Sequence, residues 1–343
     1  MFQNKKQYSL FFILLLVLGI VTVLSMIYGA VNISIDDIVN SMIHSFRISD
    51  NMPLNERIFI DIRLPRSVLC IFVGASLAVG GTLMQALFRN PIIEPGLIGT
   101  SSGAAFGASL YFVLGSTFSF NANEWTLPFA ACLGAFLSTF LVFILSQSNQ
   151  NNKSSITKLL LTGIAINALF LSAVGFLSYI ARDPQARSIT FWNLGTLSGA
   201  NWNSCIIVGA VSICCISVAL TYSKQLNALM IGEEEASFLG VNIKQLKIKI
   251  LLVNVVLIAV STSFVGVISF VGLIVPHLLR MINGSDNRFL IINSAVLGAL
   301  LLSIADLLSR LIISPAELPI GIITSVVGVP VFIVLLGKKN YFF

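Results

Sequence analysis

Charge is scarce in this sequence. Asp, Glu, Lys and Arg make up 10% of its 343 residues, against 56% hydrophobic residues, and the mean hydropathy is +0.95. A soluble chain of this size would lack the polar surface to cover itself, so its solvent is lipid. Histidine is scarcer still: His44 and His277 are the only two, and neither has a partner at metal-ligand spacing. No HExxH motif and no paired carboxylates fall within an apolar run, so the common metal-hydrolase and acid–base designs have no residues to work with. The GxxxxGK[ST] phosphate loop is also absent, so the chain does not bind ATP in the P-loop manner. Cys70, Cys132, Cys205, Cys214 and Cys215 all lie in apolar runs and read as small buried hydrophobes, not as a disulfide framework. The net charge of +6 is spread along the chain rather than gathered on a face that would bind nucleic acid.

Long apolar runs recur from end to end. At about 20 residues per span, helices are expected near 10–30, 66–87, 93–114, 126–146, 157–180, 202–222, 249–267, 268–279, 289–309 and 319–337. The fold class predicted is an all-α polytopic membrane protein of about ten transmembrane helices, with residues 1–343 forming a single domain. The first run reads as a retained anchor, because a signal peptide would be one short run and not the first of a series. Around Gly266–Pro276 two forms are open: one long kinked helix, or a turn followed by a short helix. Either way the freed backbone groups need shielding by protein, since lipid cannot satisfy them.

With the N-terminus inside, every lysine falls on the cytoplasmic side, as the positive-inside rule requires, and the outer segments keep only arginines: Arg47, Arg57, Arg63, Arg66, Arg182, Arg187 and Arg310. Both termini then lie in the cytoplasm. Gly99, Gly103 and Gly107 form a small-xxx-small series suited to close helix packing. Gln85, Asn90, Glu94 and Asn167 sit in or at the ends of spans, where a polar group must pair with another or face water. The segment 224–248 is cytoplasmic in this orientation. It holds a short element between Gly232 and Gly240, with Glu233, Glu234 and Glu235 in its first turn, where acids complement the helix dipole, and with Phe238 and Leu239 as apolar contacts. Its acidity argues against anionic lipid and for a protein partner.

Several ordered motifs carry a family resemblance: RLPR at Arg63–Arg66, GGTLMQALFRNPIIEPGLIGTSSGAAFGA from Gly80, GEEEASFLGV from Gly232, ISFVGLIVPHLLR from Ile268 and AELPIGIITSVVGVPVFIVLL from Ala316. Through them nearly the whole chain resembles the FecCD-type permeases, the membrane subunits of ABC importers for iron–siderophore complexes, haem and vitamin B12. The resemblance implies a homodimer with a translocation path between subunits, a pair of cytoplasmic ATPase subunits and an extracytoplasmic binding protein. It implies residence in the bacterial cytoplasmic membrane. It also implies no enzymatic role and no cofactor or metal in this chain, with ATP and Mg on the partner ATPase.

Carried over by position, the resemblance makes Arg63, Arg66 and Arg310 acceptors for acidic residues of the binding protein, and Gly232–Gly240 the segment that couples to the ATPase. The local alternatives are an Arg310–Asp306 pair at i, i+4 and snorkelling of Arg63 and Arg66. Gln85, Asn90, Arg182, Arg187 and Trp192 are the candidate substrate-path residues. Arg182 and Arg187 would attract the carboxylates of an iron chelate or haem, and Trp192 would pack on a flat macrocycle or else join Trp202 in the interfacial aromatic belt. The cargo expected is an iron chelate, ferric siderophore or haem, with vitamin B12 as the alternative. An ion-coupled carrier also fits broken helices and the echo between PIIEPGLIG at Pro91 and SPAELPIGI at Ser314.

Overall fold

The structure, a computed structural model, describes residues 5–29, 31–45, 53–117, 123–146 and 156–336. Arg47, Lys153, Lys338 and Lys339, which enter the charge pattern, lie outside the described residues, as does the side chain of His44. Among the described residues the chain is helical, without strands. The elements run α1 (Lys5–Ile27), α2 (Ile35–Ser45), α3 (Leu54–Arg57), α4 (Leu64–Phe88), α5 (Thr100–Thr117), α6 (Thr126–Ser146), α7 (Ile156–Ile180), α8 (Asp183–Asn193) and α9 (Trp202–Thr221). They continue as α10 (Ser223–Ile231), α11 (Glu233–Phe238), α12 (Ile243–Val265), α13 (Val271–Asn283), α14 (Asn287–Leu311) and α15 (Ile320–Leu336). A π-helical turn, Ile58–Arg63, joins α3 to α4.

Among the described residues seven helices are long and apolar enough to cross a bilayer: α1, the continuous 54–88 stretch, α6, α7, α9, α12 and α14. The other three expected spans exist as α5, α13 and α15, which are shorter or carry more small polar residues. The largest correction concerns the third span, expected from 93. Residues 89–99 instead form a re-entrant segment with a 3-10 turn at Pro95–Ile98, and α5 begins only at Thr100. At the other uncertain place the chain makes a turn followed by a short helix: α12 stops at Val265, Gly266 takes φ +76°, Phe270 takes φ +69°, and α13 begins at Val271.

The centre of the bundle is α4, buried for most of its length. Its glycines set the approach of its neighbours. A Cβ on Gly74 would run into the carbonyl of Gly298 on α14, and one on Gly81 into the carbonyl of Gly272 on α13. Backbones in such contact gain dispersion over their whole length, which is what drives association where lipid is as apolar as the helices. Gly103 and Gly107 of α5 meet Gly134 and Ala130 of α6 in the same way, so these two do form a packing face. Gly99 belongs to the turn before the helix, at φ +91°.

Both broken segments are satisfied by polar side chains. Pro276 has no N–H, so Gly272, four residues earlier in α13, loses its intrahelical donor; the Gln85 amide lies 3.4 Å from the Gly272 oxygen and 3.1 Å from that of Leu273. Asn254, in the middle of α12, donates to the Pro95 carbonyl at 3.3 Å, which places the 3-10 turn inside the bundle. Asn167 donates to the Leu97 carbonyl at 3.0 Å. Glu94 accepts from the Phe270 N–H at 3.1 Å, capping α13 from a different segment of the chain.

The close contacts give a paired expectation for thermal unfolding in detergent. Gly81→Ala, which must push α13 away, lowers stability by about 1–3 kcal/mol. Gly19→Ala on α1, where nothing lies within 4 Å of the added carbon, is neutral or stabilising by up to about 1 kcal/mol.

Candidate functional site

Polar chemistry concentrates at the two ends of the bundle. At one end Arg66 forks between two carboxylates: its Nε and Nη2 each lie 2.9 Å from Asp306 Oδ1, and its Nη1 lies 2.9 Å from both oxygens of Glu317. Asp306 also pairs with Arg310 one turn later at 2.9 Å. Arg310 continues to α1, donating to the Ser25 hydroxyl at 2.5 Å and to the Ser25 and Tyr28 carbonyls at 3.1 and 3.3 Å. Arg63 binds the same helix end, donating to the carbonyls of Ser25, Tyr28 and Val31. Ser25 lies in the last turn of α1, Tyr28 just past it and Val31 in the segment beyond, so arginine satisfies carbonyls at and after the helix end and complements the negative end of its dipole.

This geometry buries the three arginines expected at the docking rim. Arg63, Arg66 and Arg310 are 6%, 6% and 4% exposed, so none of them presents its guanidinium at a surface. The local Arg310–Asp306 pair is present, and the side chains turn inward rather than snorkelling outward. What is exposed is the loop over them, residues 311–317. Glu317 was not singled out in the sequence because its partner is 251 positions away.

The opposite end carries Lys224, Lys244, Lys247 and Lys249 together with the segment 224–248. That segment forms α10, then α11 between Gly232 and Gly240. Gly240 needs its glycine, with φ +81°, whereas Gly232 is extended at φ 166°. Glu233 anchors the base of α11 through Lys247 at 2.9 Å and Arg89 at 3.8 Å. Glu234 and Glu235 share its first turn. Phe238 and Leu239 are left 90% and 67% exposed. Asn227 ties α10 to the start of α14: it donates to Asp286 and accepts from the backbone and side chain of Asn287, each at 2.8 Å.

The candidate path residues are not brought together. Gln85 is fully buried and bonds Arg280 at 2.5 Å as well as α13. Asn90 caps its own turn through the Ile92 N–H. Arg182 and Arg187 are exposed on α8. Trp192 is buried in one cluster with Ala104, Ala108 and Ile189; Trp202 is the exposed indole of that region. Among the described residues no three His, Cys, Asp or Glu side chains gather as metal ligands.

Removing the shared carboxylate strands the buried Arg310 and leaves Arg66 with Glu317 alone. Asp306→Asn therefore destabilises the protein by about 3–5 kcal/mol in thermal unfolding. Glu317→Gln, at a side chain 37% exposed, costs about 1 kcal/mol or less.

The model of the FecCD transport family matches residues 15–338. The chain is 41% identical over 303 residues to the hemin transport system permease protein HmuU of Yersinia pestis, covering 86% of this chain and 89% of that protein. It is 33% identical over 330 residues to the vitamin B12 import system permease protein BtuC of Vibrio parahaemolyticus, covering 94% of each. Its fold matches the inward-facing structure of an ABC transporter provisionally assigned to the metal-chelate type, with a TM-score of 0.82, 32% identity and coverage of 96% and 98% of the two chains. A family of ABC permeases leaves no place for the ion-coupled carrier. This integral membrane protein belongs to the FecCD transport family and is a permease subunit of an ABC importer.

Proposed function

We propose that the chain carries an iron chelate, haem or a ferric siderophore, across the cytoplasmic membrane. It works as a homodimer with two cytoplasmic ATPase subunits, which hold ATP and Mg, and with an extracytoplasmic binding protein that delivers the cargo. The lysine-rich end lies in the cytoplasm with both termini, as the charge asymmetry supports. The observation that carries the energy-coupled reading is α11: a short acidic helix outside the bundle, fixed at its base by Glu233 and tipped with exposed Phe238 and Leu239. An apolar tip on a rigid base suits insertion into a cleft of a protein that moves.

Movement at α10–α11 has a direct route to the far end. Asn227 holds the first turn of α14, and α14, about 37 Å long at 1.5 Å per residue, carries Asp306 and Arg310 near its other end. Arg63, Arg66 and Arg310 then act on docking from beneath, by holding α1 and the exposed loop 311–317 in place. Two-state gating follows when nucleotide biases one arrangement of this linkage. Haem is favoured within the iron-chelate class by the higher identity to the hemin permease, 41%, than to the Fe(3+)-citrate permease YfmD of Bacillus subtilis, 34%. Arg182 and Arg187 supply positive charge at the entrance.

Two measurements check this reading. In the reconstituted complex, Phe238→Ala with Glu234→Ala lowers ATPase stimulation by loaded binding protein several-fold while the complex still assembles; full stimulation counts against coupling through α11. In vesicles carrying the complete transporter, haem accumulates with ATP and cyanocobalamin does not. Accumulation of cobalamin instead transfers the assignment to a vitamin B12 importer.

A further inference from the structure

A second feature of the lysine-rich end adjoins the coupling contact, with Leu239 and Gly240 on one of its walls. Between α10 and the start of α12 runs a groove of about 480 Å³, space for more than ten waters at about 30 Å³ each. Lys224, Gln225, Asn242, Gln245 and Lys249 line it, with Tyr222 at its wall and no acidic side chain. Lys249 Nζ stands 5.5 Å from the centre of the Tyr222 ring, and among the described residues neither Lys224 nor Lys249 has a carboxylate at ion-pair distance. Glu233, at the base of α11, is committed to Lys247 and Arg89.

Beside the groove along α12 lies an apolar recess that shares none of its lining residues. Gln245, Ile248, Lys249 and Leu252 follow at helical spacing, so they share one stripe of the helix. Ile248 and Leu252 line this recess of about 190 Å³ with Phe136, Phe140 and Leu159 of α6 and α7. A cationic, donor-rich groove thus opens at the membrane boundary directly beside a slot that is almost entirely hydrocarbon. Charge and depth together match one kind of molecule. We propose that this groove binds the phosphate of an anionic phospholipid, whose acyl chain lies along α12 in the recess at Ile248 and Leu252.

The lipid would then brace α10 against α12 on the side of the segment opposite the Glu233 ion pairs. The segment 224–248 has both chemistries, acidic on α11 and basic in the groove, so its acidity excludes anionic lipid only from α11. The inference requires membrane embedding alone and does not depend on the cargo or on the ATPase.

The test uses the full-length permease in nanodiscs of equal parts phosphatidylglycerol and phosphatidylcholine, with lipid retained after mild extraction counted by native mass spectrometry. Each lysine near the surface contributes about fivefold, so phosphatidylglycerol is retained about 30-fold over phosphatidylcholine. Lys224→Gln with Lys249→Gln brings the ratio close to one, Lys249→Arg preserves it, and Leu252→Trp lowers it by filling the recess. Equal retention of the two lipids by the unaltered protein overturns the proposal without reference to any variant. Displacement by millimolar inorganic phosphate would assign the groove to a free anion, and displacement by the ATPase subunits would assign it to that partner; either result also overturns it.

Discussion

The arrangement of this protein depends on how closely α4 is approached. In a bilayer no hydrophobic force separates helix from solvent, so association rests on contact and on hydrogen bonds made away from lipid. Gly74 and Gly81 bring two helices to backbone contact with α4, and hydroxyl pairs join α4 to its neighbours: Ser76 with Ser212 of α9 at 2.6 Å and Thr82 with Ser294 of α14 at 2.8 Å. Any side chain at Gly81 would displace α13, and with it the Gln85 bonds that compensate for Pro276.

Two departures from helix are held within the bundle, and they hold each other. The re-entrant 89–99 segment gives its Pro95 carbonyl to α12, and its Glu94 takes the N–H of Phe270 at the break between α12 and α13. Gly272 packs against the Pro95 ring and the Leu77 carbonyl, so the same residue touches both the re-entrant turn and α4. Backbone groups that lipid could not satisfy are paired by three side chains that look anomalous in an apolar sequence, Gln85, Asn254 and Asn167. Their burial follows from what they bind.

The two ends solve different problems with charge. At the arginine-rich end three guanidiniums and the Asp306 carboxylate are folded inward, with Glu317 bonded from the exposed loop, closing α1 and fixing α14 and loop 311–317. At the lysine-rich end the charges stay near water, where Glu233 sets the base of α11 and the other lysines remain available. α14 spans the distance between them, held by Asn227 at one end and by Arg66 at the other. A permease that must pass a conformational change across a membrane needs such a member, stiff between two fixed ends.

Much of this was legible in the sequence. Hydropathy located the ten apolar segments to within several residues, because a span's length is set by the bilayer. The ordered motifs at Arg63, Gly80, Gly232, Ile268 and Ala316 carried the family, and the spacing of Gly103 and Gly107 carried a helix contact. The sequence also marked Gln85, Glu94 and Asn167 as residues in need of partners, without saying which. What the chain order could not express was long-range pairing. Arg66 meets Glu317 and Glu94 meets Phe270 only through the packing of α4, α13 and α14, so arginines that read as an outward rim became an inward clamp. Trp192 turned from surface to core for the same reason. Local pattern fixes whether a segment is apolar enough to cross; which face of it meets protein, water or lipid is decided by its neighbours.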